Sequence, residues 1–82
     1  QGNSVVSETR EKGEKTIKNI DERITIHDFR MVVGNTHTNL IFDVVLPRKY
    51  SENDFINTVE SHIKQMDEKY YTVINIDRNY IG

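Results

Sequence analysis

The fold is decided by residues 38–77, TNLIFDVVLPRKYSENDFINTVESHIKQMDEKYYTVINID. Apolar residues alternate from Thr38 to Leu46 and again from Tyr70 to Asp77, which predicts two strands. Between them, Ser51 followed by Asp54 is a variant of the helix capping box, and apolar residues at helical spacing come after it. Because strand-helix-strand crossovers are right-handed with few exceptions, we expect the two strands to be parallel in one sheet.

Two further elements precede this unit. Residues 5–22 carry a helical apolar stripe, and residues 23–33 form a strand whose alternation changes phase near His27 and Asp28. A phase change of this kind predicts a β-bulge. Residues 34–35, Gly-Asn, tolerate positive φ and turn the chain back. The order α-β-β-α-β predicts an α+β fold with a mixed three-stranded sheet and both helices on one face.

The composition limits the classes of protein to which this chain can belong. The 82 residues allow one domain over 1–82, and Gln1 to Ser4 are small and polar, typical of a disordered or vector-derived end. The chain has no cysteine, which excludes disulfides, thiolate zinc sites and cysteine nucleophiles. Lys plus Arg total 11 against 13 Asp plus Glu, which argues against nucleic acid as a partner. No apolar run approaches the roughly 20 residues that span a bilayer, so we expect this piece to be soluble.

The same periodicities predict which residues are buried in the core and which are exposed on the uncovered face of the sheet. The centre of the core is predicted from apolar residues in phase on adjacent elements: Phe42, Val44, Val59, Ile63 and Ile74. Gly13 lies in the apolar stripe of the first helix and suggests close approach to a neighbour. The sheet face away from the helices is predicted to carry Ile41, Val45, Tyr71 and Val73. Because that face is bare in a monomer, we expect a homodimer that buries part of it.

No local catalytic motif is present, but three metal-type ligands fall one on each strand: His27, Asp43 and Asp77. Imidazole and carboxylate ligands suit zinc or, with more oxygen donors, manganese. The alternative is that His27 is an ordinary hydrogen-bonded strand histidine. In that case the two carboxylates pair with arginines such as Arg30 and Arg78.

Three segments together resemble a known family: residues 26–32, IHDFRMV, residues 39–45, NLIFDVV, and residues 73–77, VINID. They are similar to the cytoplasmic C-terminal domain of the cation diffusion facilitator family, whose members export zinc and related divalent ions. The similarity runs from about Ile17 to Asp77. It implies a ferredoxin-like, metallochaperone-like domain that lies below a membrane-embedded transport domain, dimerises, and in several members binds metal at the protomer interface.

The resemblance also implies ligand roles by position. The family's His-Asp-Leu-Arg motif corresponds to residues 27–30, HDFR, and its first histidine is a metal ligand. Asp43 stands where a histidine is often the ligand, and Asp77 matches the acidic end of a His-x-Asp motif. The first position of that motif is Asn75 here. Fewer imidazoles lower the affinity for zinc and shift the preference toward oxygen-loving ions.

The sequence therefore leads to a hypothesis of function. We expect a non-enzymatic regulatory and dimerisation domain of a divalent cation efflux transporter, placed at the cytoplasmic face of the cell membrane. Its expected partners are a second copy, the attached transport domain and divalent cations such as zinc or manganese. The alternative is a free-standing ferredoxin-like small-molecule sensor or enzyme subunit, because this architecture hosts many functions. Several apolar segments of about 20 residues upstream of Gln1 would favour the transporter.

Overall fold

The chain forms two helices and one sheet in the predicted order. The computed structural model describes residues 2–78, with side chains from residue 4 onward. The elements are α1 (Gly2–Ile20), β1 (Thr25–Val33), β2 (Thr38–Leu46), α2 (Glu52–Met66) and β3 (Tyr70–Arg78). Helix α1 thus begins three residues before the predicted start, and Gln1 lies outside the described residues. Among the described residues, no helix has the length and the apolar composition that are needed to span a bilayer.

The sheet is mixed and three-stranded. Strand β2 is central, pairs antiparallel with β1 and pairs parallel with β3. The parallel pair is connected through α2, as expected for a crossover, and α2 starts at Ser51, whose hydroxyl accepts from the backbone N–H of Asp54. The fold is therefore the predicted α+β, ferredoxin-like arrangement.

The core lies between the helices and one face of the sheet. Strand β2 alternates regularly between buried and half-buried residues, and its buried side packs against both helices. Four of the predicted core residues are exposed by 1% or less: Phe42, Val44, Val59 and Ile63. The prediction that Ile74 belongs to the centre is wrong, because this residue is half-buried and packs against the core from its margin. Since β3 is an edge strand of the sheet, its inward side chains are covered on one side only.

The predicted bulge lies in β1. His27 pairs with Asp43, and Arg30 pairs with Ile41. Two residues of β1, at positions 28 and 29, therefore stand opposite the single residue at position 42 of β2. One of the two, Asp28, has a φ of 55°, the left-handed region that non-glycine residues seldom adopt. The bulge shifts the inward–outward alternation of β1 by one residue, as the phase change in the sequence predicts. Beside it, the ring of Phe29 stacks on that of Phe42 with centroids 5.9 Å apart.

Two glycines have roles that differ from those predicted. The turn after β1 uses no positive φ at Gly34 or at Asn35, so that expectation is wrong. Glycine is needed at position 34 for space, because a Cβ there would lie 2.7 Å from the carbonyl oxygen of His37, which accepts the Gly34 N–H at 2.9 Å. At Gly13, a Cβ would meet Cδ1 of Ile63 at 4.0 Å, an ordinary contact, so the helix packing does not require a glycine.

A hydrogen-bonded carboxylate joins two connections at one end of the sheet. Asp21, after α1, accepts from Nε and Nη2 of Arg23 at 3.0 and 2.8 Å and from the hydroxyl of Tyr50 at 2.8 Å. Tyr50 belongs to the connection between β2 and α2. The hydrogen bonds from Arg23 hold the pKa of Asp21 well below its usual range, and the hydrogen bond from Tyr50 makes a smaller contribution in the same direction.

This arrangement predicts a specific acid sensitivity. A carboxylate with a depressed folded pKa stabilises the domain fully above its unfolded pKa of about 3.9, and the stabilisation is lost as pH falls through the lower folded pKa. We expect Asp21→Asn to lower the Tm at neutral pH and to flatten the fall in Tm below about pH 4. Thermal melts of wild type, Asp21→Asn and the exposed control Glu68→Gln measure this. Wild-type and Asp21→Asn curves that stay parallel down to low pH would contradict it.

Candidate metal centre

The three predicted ligands all lie on the open face, which we define as the sheet face away from the two helices. His27 and Asp43 are direct partners across β1 and β2, and Asn75 is the partner of Asp43 on β3. The side-chain Nδ2 of Asn75 donates to Oδ1 of Asp43 at 3.1 Å. These three residues form one row across the sheet. Asp77 stands opposite Val45, one row closer to the end of β3.

One chain does not assemble a metal site from these residues. No three His, Asp or Glu side chains among the described residues come close enough together to hold a metal ion. Nε2 of His27 lies 2.9 Å from the hydroxyl of Thr25, with which it shares a hydrogen bond. The structure thus brings His27 and Asp43 into one row and leaves Asp77 in the next. Because zinc takes four ligands in most protein sites, this row supplies only part of a closed site.

The alternative pairing of the two carboxylates with arginines is not found. Over residues 4–78, Arg30 makes no ion pair, and Asp43 is bonded to an amide. Arg78 turns away from Asp77, donates to two backbone carbonyl oxygens at 3.0 Å each and lies 3.3 Å from the carboxylate of Glu52. Among the described residues, neither Arg30 nor Arg78 therefore makes an ion pair with these two carboxylates.

The open face has an apolar half next to this polar row. Tyr71 and Val73 are exposed by 44% and 45%, and Val32 on β1 is exposed by 52%. Ile41 lies between Arg30 and Val73 in the sheet register and is half-buried. We call Val32, Ile41, Tyr71 and Val73 the apolar half. The sequence indicated all of these except Val32, which the phase change at the bulge places on this side.

A concave surface lies beside the bulge, and sequence reasoning missed it. It has a volume of about 520 Å³, and we call it the bulge cleft. Its lining residues are Asp28, Phe29, Arg30, Asp43 and Asn75. The phase change near Asp28 was the one available signal, because a bulge redirects the side chains around it.

Comparison with known proteins supports the fold. No family model and no curated protein matches the sequence. A solved chain from the candidate zinc transporter CzrB superposes with a TM-score of 0.70 at 16% sequence identity, covering 88% of this chain and 94% of that one. At this identity the likeness establishes a shared fold. The architecture implied by the resemblance to cation diffusion facilitators is therefore present over almost the whole domain.

Proposed function

We propose that this chain is the cytoplasmic regulatory and dimerisation domain of a divalent cation efflux transporter of the cation diffusion facilitator family. The observation that carries the proposal is the open face, where an apolar half adjoins a row holding an imidazole and a carboxylate. The shared fold with a chain assigned to zinc transport supports it, as do the HDFR and VINID segments. The proposed role is non-enzymatic, and the proposed partners are a second copy, the transport domain and divalent cations.

The apolar half argues for the second copy. Val32, Tyr71 and Val73 are each about half exposed on the open face, where Nζ of Lys64 from α2 lies 3.4 Å from the centroid of the Tyr71 ring. Burying apolar surface is favourable by about 25 cal/mol per Å², and a specific interface buries at least about 1,000 Å² in total. In a two-fold arrangement of open faces, both copies contribute the same patch, so each exposed apolar side chain is buried on both copies.

The polar row argues for the cation. His27 and Asp43 face each other across two strands, so two copies supply four donors, the number that zinc takes. Asp77 in the adjoining row adds a further carboxylate on each copy. Carboxylates gathered in an interface repel one another unless a cation lies between them. When bound, the metal supplies this neutralisation and orients the two copies. A regulatory effect then requires that metal binds one dimer arrangement more tightly than another.

The dimer is tested by placing a charge in the apolar half. We expect Val73→Glu to weaken dimerisation by about thirtyfold, because a carboxylate would have to be desolvated in the interface. The matched control is Val33→Glu, since Val33 is also a strand valine and is 75% exposed, but lies on the helix side of the sheet. Sedimentation equilibrium measures both dissociation constants. A Val73→Glu variant that dimerises as tightly as wild type would show that the open face is not the interface.

A further inference from the structure

The bulge cleft presents acceptors that suit a guanidinium group. Asp28 and Asp43 contribute two carboxylates to its lining. Asn75 uses its Nδ2 on Asp43, which leaves its Oδ1 as a third acceptor. A guanidinium has five N–H donors in a planar fork and pairs with carboxylates through two parallel hydrogen bonds. The cleft is thus complementary to an arginine side chain in both charge and donor geometry.

An unpaired arginine stands at the edge of the same cleft. Arg30 is exposed, and its guanidinium has no hydrogen bond or ion pair with any described residue. It lies opposite Ile41, two residues along β2 from Asp43. Although both groups line the cleft, no ion pair forms between them within one chain. The donor and its acceptors are therefore neighbours on one surface, each without a charged partner.

We infer that in the dimer each copy inserts Arg30 into the bulge cleft of the other, where it pairs with Asp28 and Asp43. The inference rests on the proposed dimer of open faces. A two-fold axis passing close to the cleft generates the contact twice, because an isologous interface brings each residue to its complement on both sides. The charges favour this occupant, since the carboxylates of Asp28, Asp43 and Asp77 have no charged partner among the described residues, and the ammonium of Lys64 lies over the ring of Tyr71 instead.

The pairing gives the dimer an arrangement that needs no metal. In that arrangement Asp43 forms an ion pair with the arginine of the second copy, and in the metal-bound arrangement it binds the cation. Because one carboxylate cannot make both sets of contacts fully, cation binding has to displace the guanidinium. Arg30 then competes with metal for Asp43, and the two arrangements differ in their affinity for metal, as regulation requires.

The test is a double-mutant cycle on Arg30→Gln and Asp28→Asn, with Arg10→Gln on the exposed side of α1 as control. Neither cycle position is among the predicted metal ligands, and asparagine tolerates the φ of 55° at position 28. We expect each single variant to weaken the chelator-treated dimer by about tenfold in sedimentation equilibrium. The double variant should be no weaker than Arg30→Gln alone, because Arg30→Gln already removes the contact that Asp28→Asn weakens. Arg10→Gln should match wild type.

Calorimetric titration with zinc provides a second measurement. Removing the competing guanidinium should tighten zinc binding to Arg30→Gln by about tenfold, which a purely structural role would not do. The inference is overturned if Arg30→Gln dimerises like wild type, if the two single effects add, or if wild type dimerises only when zinc is present. All three results leave the proposed function standing. A wild-type chain that is monomeric with and without zinc overturns both.

Discussion

Phe42→Ala is expected to cost about 3–5 kcal/mol of unfolding free energy and to leave the domain largely unfolded. Phe42 is 1% exposed at the middle of the central strand, and its ring stacks on that of Phe29. Truncation removes this ring from the core and from its contact with Phe29, and leaves a cavity below the bulge. A domain of 82 residues has a total stability of about 4–12 kcal/mol, so the loss is a large part of it.

Urea unfolding followed by circular dichroism measures this loss. Phe42→Leu keeps most of the volume and should cost less than about 1.5 kcal/mol, which separates the cavity from the change of residue. Val33→Ala, at an exposed strand position, should change stability by less than about 0.5 kcal/mol. A Phe42→Ala variant that unfolds cooperatively within about 1 kcal/mol of wild type would contradict the central place of this residue.

Zinc at about 100 times its dissociation constant should stabilise the folded domain by about 2.7 kcal/mol, seen as a higher Tm. Metal ligands have to be deprotonated, so the effect should weaken as the pH is lowered. Asp77→Asn keeps the shape of the side chain and removes its charge. This variant should lose much of the zinc-dependent rise in Tm and keep the Tm of the metal-free protein.

Melts with zinc, with manganese and with a chelator make this comparison. Glu68→Gln is the control, because it removes one exposed carboxylate outside the open face. If Asp77→Asn responds to zinc as wild type does, Asp77 is not a ligand. If wild type shows no rise in Tm with either metal, the sensing role is contradicted and dimerisation remains the proposed contribution of the domain.

Periodicity predicted the elements of this fold because one face of each element is buried. The strict alternation from Thr38 to Leu46 specified both faces of β2, and the phase change near Asp28 located the bulge. Local spacing does not show that β3 is an edge strand, covered on one side only. The spacing therefore predicts that Ile74 lies at the centre of the core, whereas it is half-buried at the margin. At Gly34 the steric reason depends on the carbonyl of His37 across the turn, which composition does not reveal.

The candidate site was predictable in part for the same reason. Alternation places Asp43 and Asp77 on one face, which the structure confirms, and the register with β2 adds His27 to that face. Their distances depend on the register between strands, which puts Asp77 one row away from the other two. The bulge cleft depends on the φ of Asp28, a property of the folded backbone. The sequence pattern of one chain does not show which further donors would complete a metal site.

In the proposed function, zinc binding and dimerisation through the open face are coupled. Sedimentation equilibrium of the wild-type chain, with chelator and with saturating zinc, tests it most directly. We expect a dimer under both conditions, with a dissociation constant at least about tenfold lower in zinc, since a ligand that favours the dimer must tighten it. An identical dissociation constant under the two conditions, or a monomer in both, would contradict it.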